Sequence, residues 1–367
     1  MFNERARFRL HHPIRHTAML REASTTGALV GLAQRAIAAY RAGPQLDVEA
    51  GPVWESLVRD DQAGLVSQLV AGDAEALAAD LAALGRSRAA QGFFGGARQH
   101  AKCAKDPDFA ALLAAWTYDK LVSLAEAIGA IRLELPETGV WAQTVELSPE
   151  SLFAGIEQKL DMDLSPPAHI GGQLGLCVGS RTLTMRGLEA IYAAYRLRQI
   201  AQTNDFGRVC EIGGGAGLTA YYASLFGIAD YVVIDLPSMN AVQAYVLGGS
   251  RVGDKVALYG EAAGDAGIRI LPHTAFTELA PGSIDILYNQ DSLPEIEMGA
   301  ARTYLRESKR LGIRLFLSIN QEAHLPAGDG HQHSVPELVA DVGSYRLLGR
   351  HRHWLRQGYA EELYSVG

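Results

Sequence analysis

The sequence predicts an α/β protein with an all-α N-terminal domain, residues 1–165, and a second domain built on a mostly parallel sheet, residues 166–367. The first domain is predicted because residues 24–130 are rich in Ala and Leu at helical spacing and almost lack strand-like alternation. The sheet is predicted because strand-like and helical patterns alternate from residue 208 onwards, which is typical of parallel strands joined by crossovers. Two final strand-like runs around Gly358 predict a C-terminal antiparallel hairpin.

Turn-forming residues divide the helical domain into several helices with short joins. The breaks fall at Gly43-Pro44, Gly51-Pro52, Gly92 to Gly96 and Asp106-Pro107. Residues 131–166 are mixed in pattern, and we interpret them as a connector. The glycine-rich stretch 169–180 that follows either closes over a ligand or is only a loop.

The second domain is expected to contain further strands before the terminal pair. They are placed at 208–212, 231–235, 268–271, 284–289 and 314–319, with crossover helices at 218–226, 238–247 and 298–311. Ser238 is the expected N-cap of the second of these helices, because it follows Pro237 and its hydroxyl can accept a backbone N–H bond. On the terminal pair, His351, Arg352 and His353 are expected at a solvated edge.

The composition limits the function. The chain has 367 residues, 48% of them hydrophobic and 20% charged, which are ordinary values for a globular protein of two domains. The formal net charge of -8 argues against a nucleic-acid-binding surface, which needs clustered Lys and Arg. No run of about 18 apolar residues appears, and Cys103, Cys177 and Cys210 are widely spaced. We therefore expect a cytoplasmic protein with no membrane segment and no disulfide framework.

A glycine-rich turn gives the strongest local signal. Glu211, Gly213, Gly215 and Gly217 stand at alternate positions, between the first predicted strand of the sheet and its helix. Glycine accepts positive φ and has no side chain, so its backbone N–H groups can come close to a ligand. The turn is therefore predicted to bind a nucleotide-like cofactor.

Asp235 ends the second predicted strand of this sheet, roughly twenty residues after the first glycine. At that separation a carboxylate can accept hydrogen bonds from the hydroxyls of a ribose. As an alternative, Asp235 caps the helix that starts near Ser238. Leu218 occupies a place at which the dinucleotide fingerprint needs a small residue, which favours a cofactor without a pyrophosphate.

Four blocks, in chain order, resemble the bacterial sugar O-methyltransferase family. They are Glu211-Ile-Gly-Gly-Gly, Ile234-Asp-Leu-Pro237, Asn289-Gln-Asp-Ser-Leu-Pro-Glu295 and Leu317-Ser-Ile-Asn-Gln-Glu-Ala323. The E-x-G-x-G-x-G pattern with an acid after the next strand is similar to that of class I S-adenosylmethionine-dependent methyltransferases. The resemblance covers about residues 168–366 and implies a Rossmann-like sheet with an antiparallel last strand; no match is claimed for residues 1–130.

The resemblance implies S-adenosylmethionine as the cofactor and S-adenosylhomocysteine as its product. The residues expected to bind it are Glu211, Gly213, Gly214, Gly215, Gly217, Asp235, Leu236, His273, Thr274, Phe276 and Asn289. The adenine is expected at the end of the third strand, where His273 or Phe276 can lie against the base. As an alternative, Phe276 packs under the sheet.

An O-methyltransferase needs a general base, because a sugar hydroxyl is too weakly acidic to ionise unaided. The candidates at the strand ends are Asp291, His324, Glu295 and Glu322. Asp291 is preferred as the base or as the residue that orients it, and His324 comes next because histidine titrates near neutrality. Asp291 as a turn residue, Glu295 as a helix cap and a carboxylate-bound divalent cation stay open, although no metal site is predicted.

The predicted function is direct, in-line methyl transfer to a hydroxyl of a small acceptor, a sugar or a glycosylated natural product. The helical domain is expected to close the acceptor pocket, to pair subunits in a homodimer, or both. A methyltransferase for a carboxylate or a peptide is the alternative on the same cofactor domain. An NAD-dependent oxidoreductase or a non-catalytic binding protein is the alternative of another class.

Overall fold

The N-terminal part of the chain is mainly helical. The computed structural model describes residues 10–12, 20–24, 27–44, 51–133, 147–322, 326–327 and 330–367. The elements of the first part are strand β1 (Leu20–Glu22) and helices α1 (Val30–Ala42), α2 (Pro52–Asp60), α3 (Ala63–Ala71), α4 (Ala74–Ala82), α5 (Gly96–Lys105), α6 (Pro107–Ile128) and α7 (Pro149–Leu160).

Local sequence explains where several of these helices begin. The side chains of Asp73, Asp106 and Ser148 accept backbone N–H bonds at the N-termini of α4, α6 and α7. Proline follows the cap in α6 and α7, where its missing N–H leaves no intrahelical bond unmade. The described end of the predicted connector, from Ser148 onwards, therefore holds a capped helix.

A small antiparallel sheet joins the two predicted domains. Strand β1 pairs with β2 (Leu174–Val178), which pairs with β3 (Arg181–Leu183). A Cβ on Gly175 would lie 2.3 Å from the carbonyl oxygen of Leu183, so only glycine permits this approach of β2 to β3. Part of the glycine-rich stretch, for which a ligand-closing segment and a loop were the two alternatives, is thus the strand of a hairpin.

The second part carries the central sheet. Its elements are α8 (Met185–Asn204), β4 (Arg208–Ile212), α9 (Leu218–Leu225), β5 (Asp230–Asp235), α10 (Pro237–Gly248), β6 (Val256–Leu258), β7 (Ile268–Pro272), β8 (Ile286–Gln290), α11 (Met298–Arg310), β9 (Leu315–Gln321), β10 (Pro326–Ala327), β11 (Gly330–His331), α12 (Val335–Val342), β12 (Tyr345–Arg352) and β13 (Tyr359–Val366). Strands β10 and β11 form a separate two-stranded ribbon.

The strand order of the central sheet is β12-β13-β9-β8-β4-β5-β7-β6. The strands from β6 to β9 pair in parallel, whereas β13 lies antiparallel to both β9 and β12. The order runs outward in both directions from β4, so the sheet has a topological switch point between β4 and β8. This is a Rossmann-like, mostly parallel sheet with a C-terminal antiparallel hairpin, and the predicted fold class is confirmed.

Most of the predicted strands and helices of this sheet agree with the structure within two residues, but β6 and α12 were not predicted. The expected N-cap of α10 was wrong. Helix α10 begins at Pro237 with Leu236 in the cap position, and the Ser238 hydroxyl instead donates to Oε1 of Gln62 at 3.1 Å. Ser238 is fully buried, so its hydroxyl ties α10 to the helical part of the chain.

Apolar side chains cover both faces of the sheet. In β5, the buried Tyr231 and Val233 belong to one apolar cluster, and the alternating Val232 and Ile234 belong to the other. The first cluster continues into the N-terminal helices as far as Ala33, and α1 packs on α10. The two predicted domains therefore share one apolar core.

Candidate active site

A cavity of ≈ 860 Å³ lies beyond the carboxyl ends of β4, β5, β7 and β8. This is where ligands bind in open α/β sheets, and the volume falls in the upper part of the usual range of about 300–1,000 Å³ for small-molecule sites. The helical part of the chain closes the opposite side. It contributes Trp54 and Leu57 of α2, together with Phe93 and Phe94.

The glycine turn forms the wall of the cavity after β4. Gly213, Gly214 and Gly215 line it, and Gly213 and Gly215 have φ values of 71° and 55°. A Cβ on Gly213 would lie 2.3 Å from the Ser292 hydroxyl oxygen, so the turn packs directly on the segment after β8. Gly217 does not line the cavity. Its N–H donates to the Gly214 carbonyl at 2.8 Å, which closes the turn before α9 begins.

Asp235 lines the cavity beside this turn. Its Oδ2 accepts hydrogen bonds from the Gly215 N–H at 3.2 Å and from Nε2 of Gln243 at 2.6 Å. The carboxylate does not cap α10, because Leu236 holds the cap position and has no side-chain capping bond. Asp235 therefore fixes the shape of the glycine turn and also faces the ligand space. Leu236, the next residue, lines the same wall.

Glu211 is a buried acid at the base of the cavity. Its Oε2 accepts a 2.9 Å hydrogen bond from the Tyr231 hydroxyl. Burial raises the pKa of Glu211 to about 8, because few groups around it can replace the hydration of its charged form. The carboxyl is therefore mostly protonated at neutral pH and able to donate a hydrogen bond.

The end of β7 supplies another part of the wall. His273, Thr274 and Phe276 line the cavity, as expected of residues near an adenine. Phe276 is nevertheless 0% exposed and packs edge-to-face on Tyr304, with ring centroids 5.1 Å apart. Phe276 belongs to the apolar core under the sheet as well as to the cavity wall.

Asn289 does not line the cavity. It is fully buried, and its Nδ2 donates to the Ile212 carbonyl at 2.9 Å while its Oδ1 accepts from Nδ2 of Asn320 at 3.0 Å. Asn289 thus connects the ends of β4, β8 and β9. We infer that it acts by positioning the segment after β8, whose residues Asp291 and Ser292 do line the cavity.

Asp291 lies within an arginine cluster. Its Oδ2 accepts from Nη1 of Arg356 at 2.5 Å and from Nη1 of Arg186 at 3.2 Å, and its Oδ1 accepts from the Tyr359 hydroxyl. Burial opposes ionisation, but the two guanidinium groups hold the pKa of Asp291 below its usual value. Its backbone is also left-handed, with φ of 67°. A carboxylate bound in this way is poorly suited to accept a proton from an acceptor.

Glu295 is a carboxyl whose pKa suits proton abstraction, unlike that of Asp291. It lines the cavity, and Nε1 of Trp54 donates to its Oε2 at 3.0 Å. Burial and the nearby charge of Asp291 raise the pKa of Glu295 to about 7. Glu295 is not the helix cap, since Glu297 fills that position and accepts from the Ala300 N–H at 3.0 Å. Among the described candidates, Glu295 is best matched to proton abstraction near neutrality.

Two other predicted catalytic residues are not brought to the cavity. Glu322 is exposed and forms a two-pronged ion pair with Arg350, with N–O distances of 2.8 and 2.6 Å. Arg350 of β12 reaches across β13 to Glu322, which follows β9, and neither residue belongs to the cavity lining. His324 lies outside the described residues.

Sequence reasoning missed several residues of the site: Trp54, Phe93, Arg186, Arg356 and Tyr359. They come from segments far apart in the chain and carry no motif, so no local signal could have found them. The expectation of a solvated edge at His353 was also wrong. This side chain is 2% exposed, and its Nδ1 accepts from the Arg356 N–H at 3.1 Å, while burial lowers its pKa to about 3.

The described part of the chain contains no cluster of three or more His, Cys, Asp or Glu residues arranged to hold a metal ion. Within the same residues, no helix is both long and apolar enough to cross a membrane.

Comparison with known proteins gave structural matches only. No family model matches the chain, and no curated protein matches its sequence. The CcbJ methyltransferase from Streptomyces caelestis is 14% identical over 49% of this chain and 89% of its own, with a TM-score of 0.34. An S-adenosylmethionine-dependent methyltransferase from Aquifex aeolicus is 15% identical over 48% of this chain and 92% of its own, with a TM-score of 0.34. An S-adenosylmethionine-dependent methyltransferase from Mesorhizobium loti is 13% identical over 43% of this chain and 90% of its own, with a TM-score of 0.30.

Proposed function

We propose that this protein is an S-adenosylmethionine-dependent O-methyltransferase that acts on a hydroxyl of a small acceptor, a sugar or a glycosylated natural product. The observation that carries the proposal is Glu295, a cavity-lining carboxyl with a pKa of about 7. It lies in the segment after β8 and lines the same cavity as the glycine turn. A group that is partly ionised at neutral pH in this position is suited to remove a hydroxyl proton.

The cavity residues fit this cofactor. The backbone of the glycine turn would pass close to its methionine portion. Gly213 and Gly215 both have positive φ, and a Cβ on Gly213 would also meet the Ser292 hydroxyl at 2.3 Å. Asp235 would accept hydrogen bonds from the ribose hydroxyls, and His273, Thr274 and Phe276 would surround the adenine. When bound, the cofactor supplies an electrophilic methyl group on a sulfonium.

Glu295 would accept the acceptor's proton on a carboxylate oxygen. Trp54 orients this carboxyl by donating a hydrogen bond to Oε2. The other oxygen, Oε1, accepts a longer and weaker hydrogen bond of 3.4 Å from Nε2 of Gln332, so Oε1 is the oxygen that would accept the proton. Asp291 contributes indirectly, because its negative charge keeps the pKa of Glu295 high enough for proton transfer from an alcohol. The helical wall of Trp54, Leu57, Phe93 and Phe94 would exclude water from the acceptor.

Calorimetric titration with S-adenosylhomocysteine tests the cofactor assignment, with NAD as the comparison. The proposal expects tight binding of the first ligand and none of the second. Asp235→Ala should weaken the binding by about 10- to 100-fold, the effect of losing hydrogen bonds to a charged group. Equal affinity in Asp235→Ala would contradict the assignment of Asp235 to the ribose, and binding of NAD alone would favour an oxidoreductase.

A screen with methyl-labelled cofactor against hydroxylated sugars tests the acceptor. Methyl ethers are the expected products, and they resist mild alkali. Methylation of a carboxylate is a second candidate, favoured by the two cavity-lining arginines, Arg186 and Arg356. An ester product is released by mild alkali, and its formation needs no base, so full activity of Glu295→Gln would favour this second reaction.

A further inference from the structure

We propose that Arg186 and Arg356 form an anion-binding site at the acceptor end of the cavity, so that the acceptor carries a carboxylate or a phosphate group besides the hydroxyl that is methylated. This inference rests on the proposed function and specifies its substrate class. It is carried by the geometry of the two guanidinium groups, by the charge of the cluster around them and by their position relative to the cofactor residues.

The two guanidinium groups line the cavity, and contacts with neighbouring protein side chains fix their positions. Arg186 lies in the first turn of α8 and donates through Nη1 to Oε2 of Glu189 at 3.0 Å and to Asp291. Arg356 lies in the turn between β12 and β13, donates through Nη1 to Asp291 and stacks over the Tyr359 ring, with Cζ 3.7 Å from the centroid. Both side chains are therefore fixed before any ligand arrives.

Each arginine keeps donors for a ligand. Among the residues that the structure describes, the side-chain hydrogen bonds of Arg186 and Arg356 to protein atoms are made by Nη1, and neither Nη2 donates to one. The Arg186 side chain is 35% exposed and the Arg356 side chain 17% exposed, although both lie against the cavity rather than the outer surface. A guanidinium with a free edge is suited to the oxygens of a carboxylate or phosphate.

The cluster carries a surplus positive charge. Its cations are Lys120, Arg186 and Arg356, and its anions are Glu189 and Asp291. Lys120 is fully buried, and its Nζ has three acceptors, namely Oε1 of Glu189 at 2.7 Å, the Leu355 carbonyl at 2.7 Å and the Trp116 ring. Three acceptors match the three donors of an ammonium group. Three cations against two carboxylates leave one positive charge, which a ligand can neutralise while the neighbouring Glu295 is protonated and which ionised Glu295 would balance.

The site lies on the acceptor side of the sheet. Residues assigned to the ribose and adenine follow β5 and β7, on one side of β4, whereas Asp291 follows β8, on the other side. Arg186 and Arg356 contact Asp291, and their charges also act on Glu295. An anion held there would place the rest of the acceptor beside the proposed base.

The test uses the intact protein saturated with S-adenosylhomocysteine, and the probes are inorganic phosphate and malonate against chloride at equal ionic strength. Calorimetry and thermal melting should show binding of phosphate or malonate, with dissociation constants in the millimolar range. Arg186→Gln and Arg356→Gln should each weaken this binding at least tenfold. Arg350→Gln, which removes a positive charge outside the cavity, should leave it unchanged.

Absence of anion binding, or equal binding in the Gln variants, would overturn the proposal while cofactor binding still stands. A second arm compares S-adenosylhomocysteine with methylthioadenosine, which lacks the amino-acid carboxylate. If only the former prevents phosphate binding, the arginines hold the carboxylate of the cofactor and the acceptor assignment is wrong. This arm needs no variant, so it decides even if Arg356→Gln does not fold. Failure to bind S-adenosylhomocysteine at all would overturn the proposed function itself.

Discussion

Trp54 of α2 donates a 3.0 Å hydrogen bond from its indole Nε1 to Oε2 of Glu295, and so joins the helical part of the chain to the segment after β8. The two residues are 241 positions apart in the sequence. The bond puts a side chain of the N-terminal helices in direct contact with the proposed base. The helical part therefore does more than cover the cavity, because Trp54 also orients the proposed base and opposes the rise in its pKa that burial causes.

Glu295→Gln should lower the rate of methyl transfer by about 10²- to 10⁴-fold, the usual contribution of a general base. The amide can still accept from Trp54, so the cavity should keep its shape and the affinity for S-adenosylhomocysteine should not change. Steady-state kinetics measure the rate with the acceptor that the screen identifies as a substrate. Calorimetry measures the affinity for S-adenosylhomocysteine. Glu322→Gln, which alters a carboxylate outside the cavity, is the matched control and should retain full activity.

The pH profile of the wild-type reaction should rise through about pH 7 and then level off, because Glu295 must be ionised to accept a proton and burial raises its pKa to about 7. Measurement of kcat/KM between pH 5 and pH 9 gives the midpoint. A profile that falls over this interval would be inconsistent with a carboxylate base. The residual activity of Glu295→Gln should lose the rise.

Asp291→Asn and Trp54→Phe should move that midpoint in opposite directions. The Asp291 charge raises the pKa of Glu295, so Asp291→Asn should move the midpoint to lower pH, by about one unit. The Trp54 hydrogen bond lowers the same pKa, so Trp54→Phe should move the midpoint to higher pH. If Asp291 were itself the base, Asp291→Asn would instead abolish the rise and lower the rate throughout.

Lys120→Met should destabilise the fold by about 1–3 kcal/mol, because it leaves the buried Leu355 carbonyl and Oε1 of Glu189 without the ammonium donor, although Arg186 still donates to Oε2 of Glu189. Thermal or urea unfolding provides the measurement. The double variant Lys120→Met/Glu189→Gln removes both charges and should recover part of the loss. The single variant Glu189→Gln completes the cycle, and an equal effect of Lys120→Met with and without Glu189→Gln would show that the pair is not coupled.

Gly213→Ala should weaken binding of S-adenosylhomocysteine at least tenfold. Its φ of 71° strains any other residue by about 1–3 kcal/mol, and the new Cβ would meet the Ser292 hydroxyl at 2.3 Å. Gly227→Ala is the matched control, since Gly227 has a φ of 86° with nothing within 4 Å of the added Cβ. The control should lose stability through backbone strain but keep its affinity for the ligand.

The local pattern of the sequence was enough to predict the sheet and to place most of the proposed cofactor residues at one cavity. Glu211, the glycines and Asp235 lie within 25 residues, on consecutive strand ends, and their roles follow from backbone conformation and strand order. The residue types in a short motif of this kind depend on the local backbone conformation, so the motif can be identified from the sequence alone. The glycine turn and the acid at the end of β5 were therefore placed correctly on the cavity wall, whereas Asn289 and Gly217 lie outside the cavity lining.

Only the tertiary structure decided the acceptor side. The sequence offered four candidate bases of similar chemistry, and nothing in their spacing shows that Asp291 is held by two arginines while Glu295 faces Trp54. Those partners come from α2, α8 and the turn before β13, which the fold brings together from opposite ends of the chain. A pKa depends on burial and on the charges that lie nearby in space. The sequence therefore determines which groups can titrate, and the fold determines the pH at which each of them does so.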